Sequence, residues 1–258
     1  MTLKSKLLLA ALATSSAAFA QTAPAAAESA IAYNVGVVSE YRYRGLAQTK
    51  GDPALQGGVD YTNPNGFYAG AWASTIKWIK DSAGTAGQTK GPIELDLYAG
   101  YKFEAAGLGL DVGYLRYEYL NNTLQKSTAA SGTLKNANTD EVYGAATYGV
   151  TTLKYSYAFS NLFGANNSKG STYWDLSATF DLGNGFSLVP HAGRQTVKNN
   201  PTSYTDIALT LNKDLGDGLS ASISAISTNA KGKGDFASYL TGYDVPKNTT
   251  VVGLKYSF

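Results

Sequence analysis

The stretch Thr249-Thr250-Val251-Val252-Gly253-Leu254-Lys255-Tyr256-Ser257-Phe258 decides how the rest of the chain is read. Counted back from Phe258, the residues Phe258, Tyr256, Leu254 and Val252 fall on one side of an extended chain. Ser257, Lys255 and Gly253 fall on the other. A two-residue period with one apolar and one polar side marks a strand.

An aromatic at the tip of such a strand looks like the C-terminal insertion signal of bacterial outer-membrane barrels, whose last strand closes against the first. An edge strand of a soluble β-sandwich is the competing reading. At the other end, residues 1–20 read as a secretory signal peptide. Lys4 and Lys6 precede an apolar run from Leu7 to Ala13, and Ala18-Phe19-Ala20 forms an A-x-A cleavage site. That run is shorter than the ~20 residues a membrane helix needs. Residues 21–30, rich in Ala, form a flexible lead-in, and residues 31–258 form the domain.

The precursor carries 21 basic and 19 acidic residues. Lys4 and Lys6 leave with the signal and no acid does, so the mature chain is evenly balanced and has no basic footprint for nucleic acid. With no Cys, there is neither a disulfide framework nor a thiolate metal site. The 28 Gly and 19 Tyr suit turns and strands. No apolar run is long enough for a membrane helix, so a chain of this kind can span a bilayer only as a closed barrel.

From Ile31 the alternation is sustained. Ile31, Tyr33, Val35, Val37, Tyr41 and Tyr43 share one face; Asn34, Gly36, Glu40, Arg42 and Arg44 share the other. Strands are expected again from Leu55 to Tyr61, from Phe67 to Ile79, from Ile93 to Phe103 and from Leu108 to Leu120. Glu141–Val150 and Leu153–Phe159 form a hairpin, and Tyr173–Leu182, Phe186–Val197, Tyr204–Leu215 and Leu219–Thr228 precede the closing strand. The facing of Phe67–Ile79 and Phe186–Val197 is ambiguous.

Twelve strands result, and their connections alternate. After odd strands come Ala47–Pro53, Lys80–Gly91, Asn121–Asn138, Asn161–Ser171, Lys198–Ser203 and Asn229–Asn248; after even strands come only tight turns. Long loops at one end, short turns at the other and an even strand count are the asymmetry of an outer-membrane barrel. The fold class expected is therefore all-β, a transmembrane antiparallel up-and-down β-barrel of about 12 strands, with long extracellular loops and short periplasmic turns. Tyr41, Tyr43, Tyr61, Trp78, Tyr101, Tyr155, Tyr157 and Trp174 recur near strand ends, where an aromatic girdle belongs.

The segment Val37-Val38-Ser39-Glu40-Tyr41-Arg42-Tyr43-Arg44-Gly45, continued by Asp52 to Tyr61, resembles the opening of the TorF family of outer-membrane porin-like proteins, long catalogued as proteobacterial proteins of unknown function. Gly66–Ser74 and Ile93–Tyr101 continue the pattern. The resemblance implies an outer-membrane barrel with a pore function and names no substrate.

By alternation, Glu40, Arg42, Arg44, Asp60, Glu94, Asp96, Lys102 and Arg194 line the lumen, with Asp111, Lys154, Asp175 and Asp181 as further candidates and Gly and Ser between them. Arg42 and Arg44 are the expected positive strip that biases solute charge in a pore. The competing expectation pairs them with Glu94, Asp96 and other acids as a structural plug. His191, the single histidine, shares a strand face with Ser187, but no nucleophile motif surrounds either residue. The reading is not an enzyme, with no cofactor and no metal site. Its partners are outer-membrane lipids and lipopolysaccharide, the barrel-assembly machinery acting on the strand that ends in Phe258, and small hydrophilic solutes. Two functions compete: a passive channel through a narrow charged lumen, and a non-conducting barrel that acts through its loops.

Overall fold

The computed structural model describes residues 30–81, 90–126, 134–199, 203–230 and 248–258. The signal peptide and almost all of the lead-in lie outside the described residues, as do much of the connections expected at Lys80–Gly91, Asn121–Asn138 and Asn229–Asn248.

The chain forms a closed antiparallel barrel. β1 (Ala30–Val38) pairs with β4 (Ala54–Thr62) on one side and with β15 (Thr249–Ser257) on the other. From β4 the ring runs through β5 (Phe67–Thr75), β6 (Ile93–Ala105), β7 (Leu108–Leu120), β8 (Thr139–Tyr148) and β9 (Thr151–Ala158) to β10 (Thr172–Ala178). From β15 it runs back through β14 (Leu219–Thr228) and β13 (Tyr204–Gly216) to β12 (Phe186–Thr196). β10 and β11 (Phe180–Gly183) are two parts of one stave interrupted at Thr179, and both pair with β12, which closes the ring at twelve staves. Closure leaves no unpaired sheet edge to be satisfied in lipid.

The expected meeting of first and last strands is present. Tyr33 and Phe258 exchange backbone hydrogen bonds, N–H to O at 2.8 and 3.0 Å, and their rings stack at 5.8 Å. Both described chain ends therefore lie at the short-turn end. Tight turns there include Asn184-Gly185 and Asp217-Gly218, with positive φ at all four residues, the backbone that two-residue hairpins require.

The outer surface is apolar. Ile31, Leu55, Val112, Leu176, Ile207 and Leu254 are all exposed, as an outward face touching hydrocarbon demands. Tyr101, Tyr157 and Trp174 of the expected girdle are exposed too. Among the described residues no helix is long and apolar enough to cross a membrane; a crossing would use the strands.

Two strand expectations fail, for the same reason. The alternation beginning at Ile31 runs on to Arg44, but β1 stops at Val38. The chain leaves the wall and folds back into the barrel as a two-stranded hairpin, β2 (Arg42–Tyr43) and β3 (Leu46–Ala47). Arg44 and Gly45 make its turn with φ of 45° and 77°. Likewise the strand from Phe67 ends at Thr75, and Trp78–Asp81 is a short helix, α1. Tyr41, Tyr43 and Trp78 are thus buried inside and are not girdle residues. An apolar alternation matches any apolar surroundings, and here those surroundings are the lumen. The ambiguous facing of β5 resolves with Tyr68 and Ser74 buried inside and Phe67 outside.

Candidate functional site: the lumen and its inserted hairpin

The hairpin fills the loop end of the lumen. Glu40 to Ala47 are buried without a break. Tyr41 accepts a backbone bond from Gln48 N–H at 2.8 Å, and its own N–H donates to Thr49 Oγ1 at 3.0 Å. α1 caps the segment, since Lys77 and Trp78 both donate N–H to the carbonyl of Gln48. Trp78 then meets Tyr119 edge-on at 5.3 Å. Phe163, from the connection after β9, packs edge-on against Tyr43 and Tyr117.

Polar bonds tie this insert to the wall. The Tyr41 hydroxyl donates to Glu94 at 2.6 Å, and the hydroxyls of Tyr43 and Tyr117 meet. Burial holds the Tyr41 and Tyr43 phenols well above their ordinary pKa, and Glu94 pushes Tyr41 further, so both remain hydrogen-bond donors. At the hairpin tip, Arg44 donates Nη1 and Nη2 to the two carboxylate oxygens of Glu141 at 3.0 and 2.7 Å, and Nη1 also to Gln195 at 2.8 Å. Its guanidinium lies 4.3 Å from the ring centre of Tyr173. Burial opposes the charge most strongly of any single cause, but Glu141 together with Tyr43 and Tyr117 raises the Arg44 pKa above the usual value.

The eight sequence-predicted lumen residues divide accordingly. Glu40, Arg42 and Arg44 are inside the barrel, on the insert and not on a wall strand. Arg42 is only 2% exposed and binds Glu40 through Nε at 2.9 Å and the Gly45 carbonyl at 3.1 Å. Both arginines are therefore neutralised, and the positive strip expected of them is absent. Their ion-pair partners are Glu40 and Glu141. Glu94 and Asp96 are buried inward-facing wall residues, Asp60 receives the Tyr98 hydroxyl, and Lys102 stands over the Tyr68 ring at 4.9 Å. Arg194 is a correction: it is exposed, and its cross-strand partner Trp174 is likewise exposed. Its neighbours Gly193 and Gln195 are the buried, lumen-side positions of β12. Small residues at both faces of β12, Gly193 inside and Ala192 outside, had hidden its phase.

His191 bonds Asp175 at 3.0 Å and sits 3.7 Å from Asp206, whose carboxylate accepts the Tyr173 hydroxyl. Glu141, Gln195, Tyr173 and Asp206 escaped the sequence reading. Their inward phase was legible, but their shared contact with a hairpin far away in the chain was not. Opposite this charged wall, Thr210, Ser222 and Ser224 line a plain hydroxyl face, with Thr210 and Ser224 bonded at 2.8 Å.

Residues 22–258 match the model of a family described as bacterial protein of unknown function, Gcw_chp. The chain belongs to the Gcw_chp family. No curated protein matches the sequence. Among solved structures, this Gcw_chp barrel is similar to the KdgM porin in complex with disordered oligogalacturonate, with a TM-score of 0.52 and 9% identity over 89% of this chain and 99% of that one. It is also similar to the NanC porin, with a TM-score of 0.53 and 11% identity over 88% of this chain and 99% of that one. At such identity the likeness is one of fold: the Gcw_chp chain has the barrel of outer-membrane porins.

Proposed function

We propose that this protein is an integral outer-membrane, porin-like channel for passive diffusion of small hydrophilic solutes, with the Glu40–Thr49 segment as a stopper at its loop end. The observation that carries the reading is a closed twelve-stave barrel with an apolar exterior and a charged interior. Carboxylates and lysines along the inner wall are the kind of charged lining from which pores draw selectivity. The resemblance to the TorF family belongs to the same reading, as do lipid and lipopolysaccharide contacts on the outer belt. Recognition of the Phe258 strand by the barrel-assembly machinery belongs to it as well.

One observation favours the second reading, a non-conducting barrel that acts through its loops: the stopper is seated with its charges paired. Liposome swelling separates the two. Vesicles holding the full-length mature protein, or a variant with residues 41–48 replaced by a short Gly-Ser turn, are placed in isotonic pentose. Swelling by the variant supports the channel, with faster uptake than through the intact protein. Folded variant that admits no pentose supports the non-conducting barrel.

A further inference from the structure

Below the stopper, two rows of lumen side chains run across the wall. Tyr68, Gly100, Gly113, Tyr143, Ser156 and Tyr173 are successive cross-strand partners from β5 to β10. Beside them run Lys102, Asp111, Ala145, Lys154, Asp175 and Gly193. Glycines let the tyrosine rings lie flat on the wall, since a methyl at Gly100 or Gly113 would overlap Tyr68 or Tyr143. The hydroxyls of those two tyrosines meet, so their rings adjoin. A lysine ammonium stands over each ring: Lys102 at 4.9 Å from Tyr68 and Lys154 at 4.0 Å from Tyr143.

Asp111 lies between them. It is 6% exposed, and its Oδ1 accepts the Tyr68 hydroxyl at 2.7 Å, while its buried Oδ2 receives no hydrogen bond from the described residues. Lys154, 9% exposed, stands over the Tyr143 ring, and its ammonium reaches no carboxylate of the described residues within ion-pair distance. A buried acceptor and a buried cation left without direct bonds cost free energy unless something else supplies the partner. Both positions lie three residue pairs from a tight turn, Lys102–Asp111 from the β6–β7 turn and Ala145–Lys154 from the β8–β9 turn. They are therefore on the turn side of the stopper.

We infer that Lys102, Asp111 and Lys154 form a binding subsite for a small hydroxycarboxylate. The solute's carboxylate accepts from the two ammoniums, and its hydroxyl donates to Asp111 Oδ2. Lys102 and Lys154 flank Asp111 in a row that also holds Asp175, the cross-strand partner of Lys154, on a wall otherwise richer in acids. The inference rests on solutes entering the lumen, though entry from the turn end suffices and full conduction does not.

Calorimetric titration of the refolded mature protein in detergent micelles, with sodium gluconate as the probe, is the test. Sorbitol and acetate serve as comparisons, and heat-modifiable gel mobility verifies folding. Saturable gluconate binding is expected, with no sorbitol binding and weaker acetate binding. Losing the charge-assisted bonds in Lys154→Met should weaken gluconate about 10-fold or more. Lys102→Met should weaken it in the same direction, and Asp111→Asn should narrow the gap between gluconate and acetate. No saturable gluconate binding, equal binding of sorbitol, or wild-type affinity in both folded lysine variants would overturn the subsite. Binding without conduction would remove the channel reading and leave the subsite standing; conduction without binding would do the reverse.

Discussion

Arg44 occupies a left-handed backbone conformation, φ 45°, which costs a residue with a side chain about 1–2 kcal/mol. Asn or Gly would meet that turn at less cost. What offsets the strain is the two-pronged bond to Glu141 and the stack on Tyr173. Arg44→Ala relieves little strain and leaves a buried, uncompensated Glu141, so a loss of about 3–5 kcal/mol is expected, read from denaturant unfolding in detergent. Arg44→Ala with Glu141→Gln should recover much of that loss. Gly193 poses a different constraint, because a methyl there would strike the Tyr173 hydroxyl and Asp206. Gly193→Ala should cost about 1–3 kcal/mol by overpacking, measured the same way. The inward phase of Glu94, Asp96 and Lys102 could be read from alternation alone. The Arg44–Glu141 pair could not, since 97 residues separate its members and no local period encodes it.

At the scale of elements, the strands were legible because one face of each must meet hydrocarbon and the other must not. Leu209, in the middle of β13, is an exposed member of the outer belt. Leu209→Arg should lose about 2–4 kcal/mol in equilibrium unfolding from lipid vesicles, far more than in a soluble sheet. The long-loop and short-turn rhythm held as well, because turn chemistry is local. What the period could not announce was where β1 leaves the wall. Tyr41 and Tyr43 continue an apolar phase that suits a lipid face, yet they satisfy it against Trp72, Tyr117 and Phe163 inside. Arg194 departs for the complementary reason: in β12 small residues stand at both faces, so alternation alone places inward a charge that points out.

At the scale of the whole molecule, closure and lumen charge decide behaviour. Phe258 links the last stave to the first through two backbone bonds and a ring stack, each bond worth about 0.5–1.5 kcal/mol net. Removing Phe258 should lower the heat-modifiable folded fraction after refolding into vesicles. Lumen charge points away from the anion preference that Arg42 and Arg44 first suggested. With those two neutralised, the wall carries Asp60, Glu94, Asp96, Asp111, Asp175 and Asp206 against Lys102, Lys154 and Lys255. Once the stopper is removed, the reversal potential under a salt gradient should report cation preference.

If a water-bearing barrel is held shut by its own hairpin, single-channel conductance in a planar bilayer will show it. The intact protein should show small or rare steps, and Arg44→Ala more frequent ones. The variant with residues 41–48 replaced by a short turn should show large, steady ones. Silence from the folded, stopperless barrel would contradict the channel, and steps of equal size with and without the hairpin would contradict the stopper.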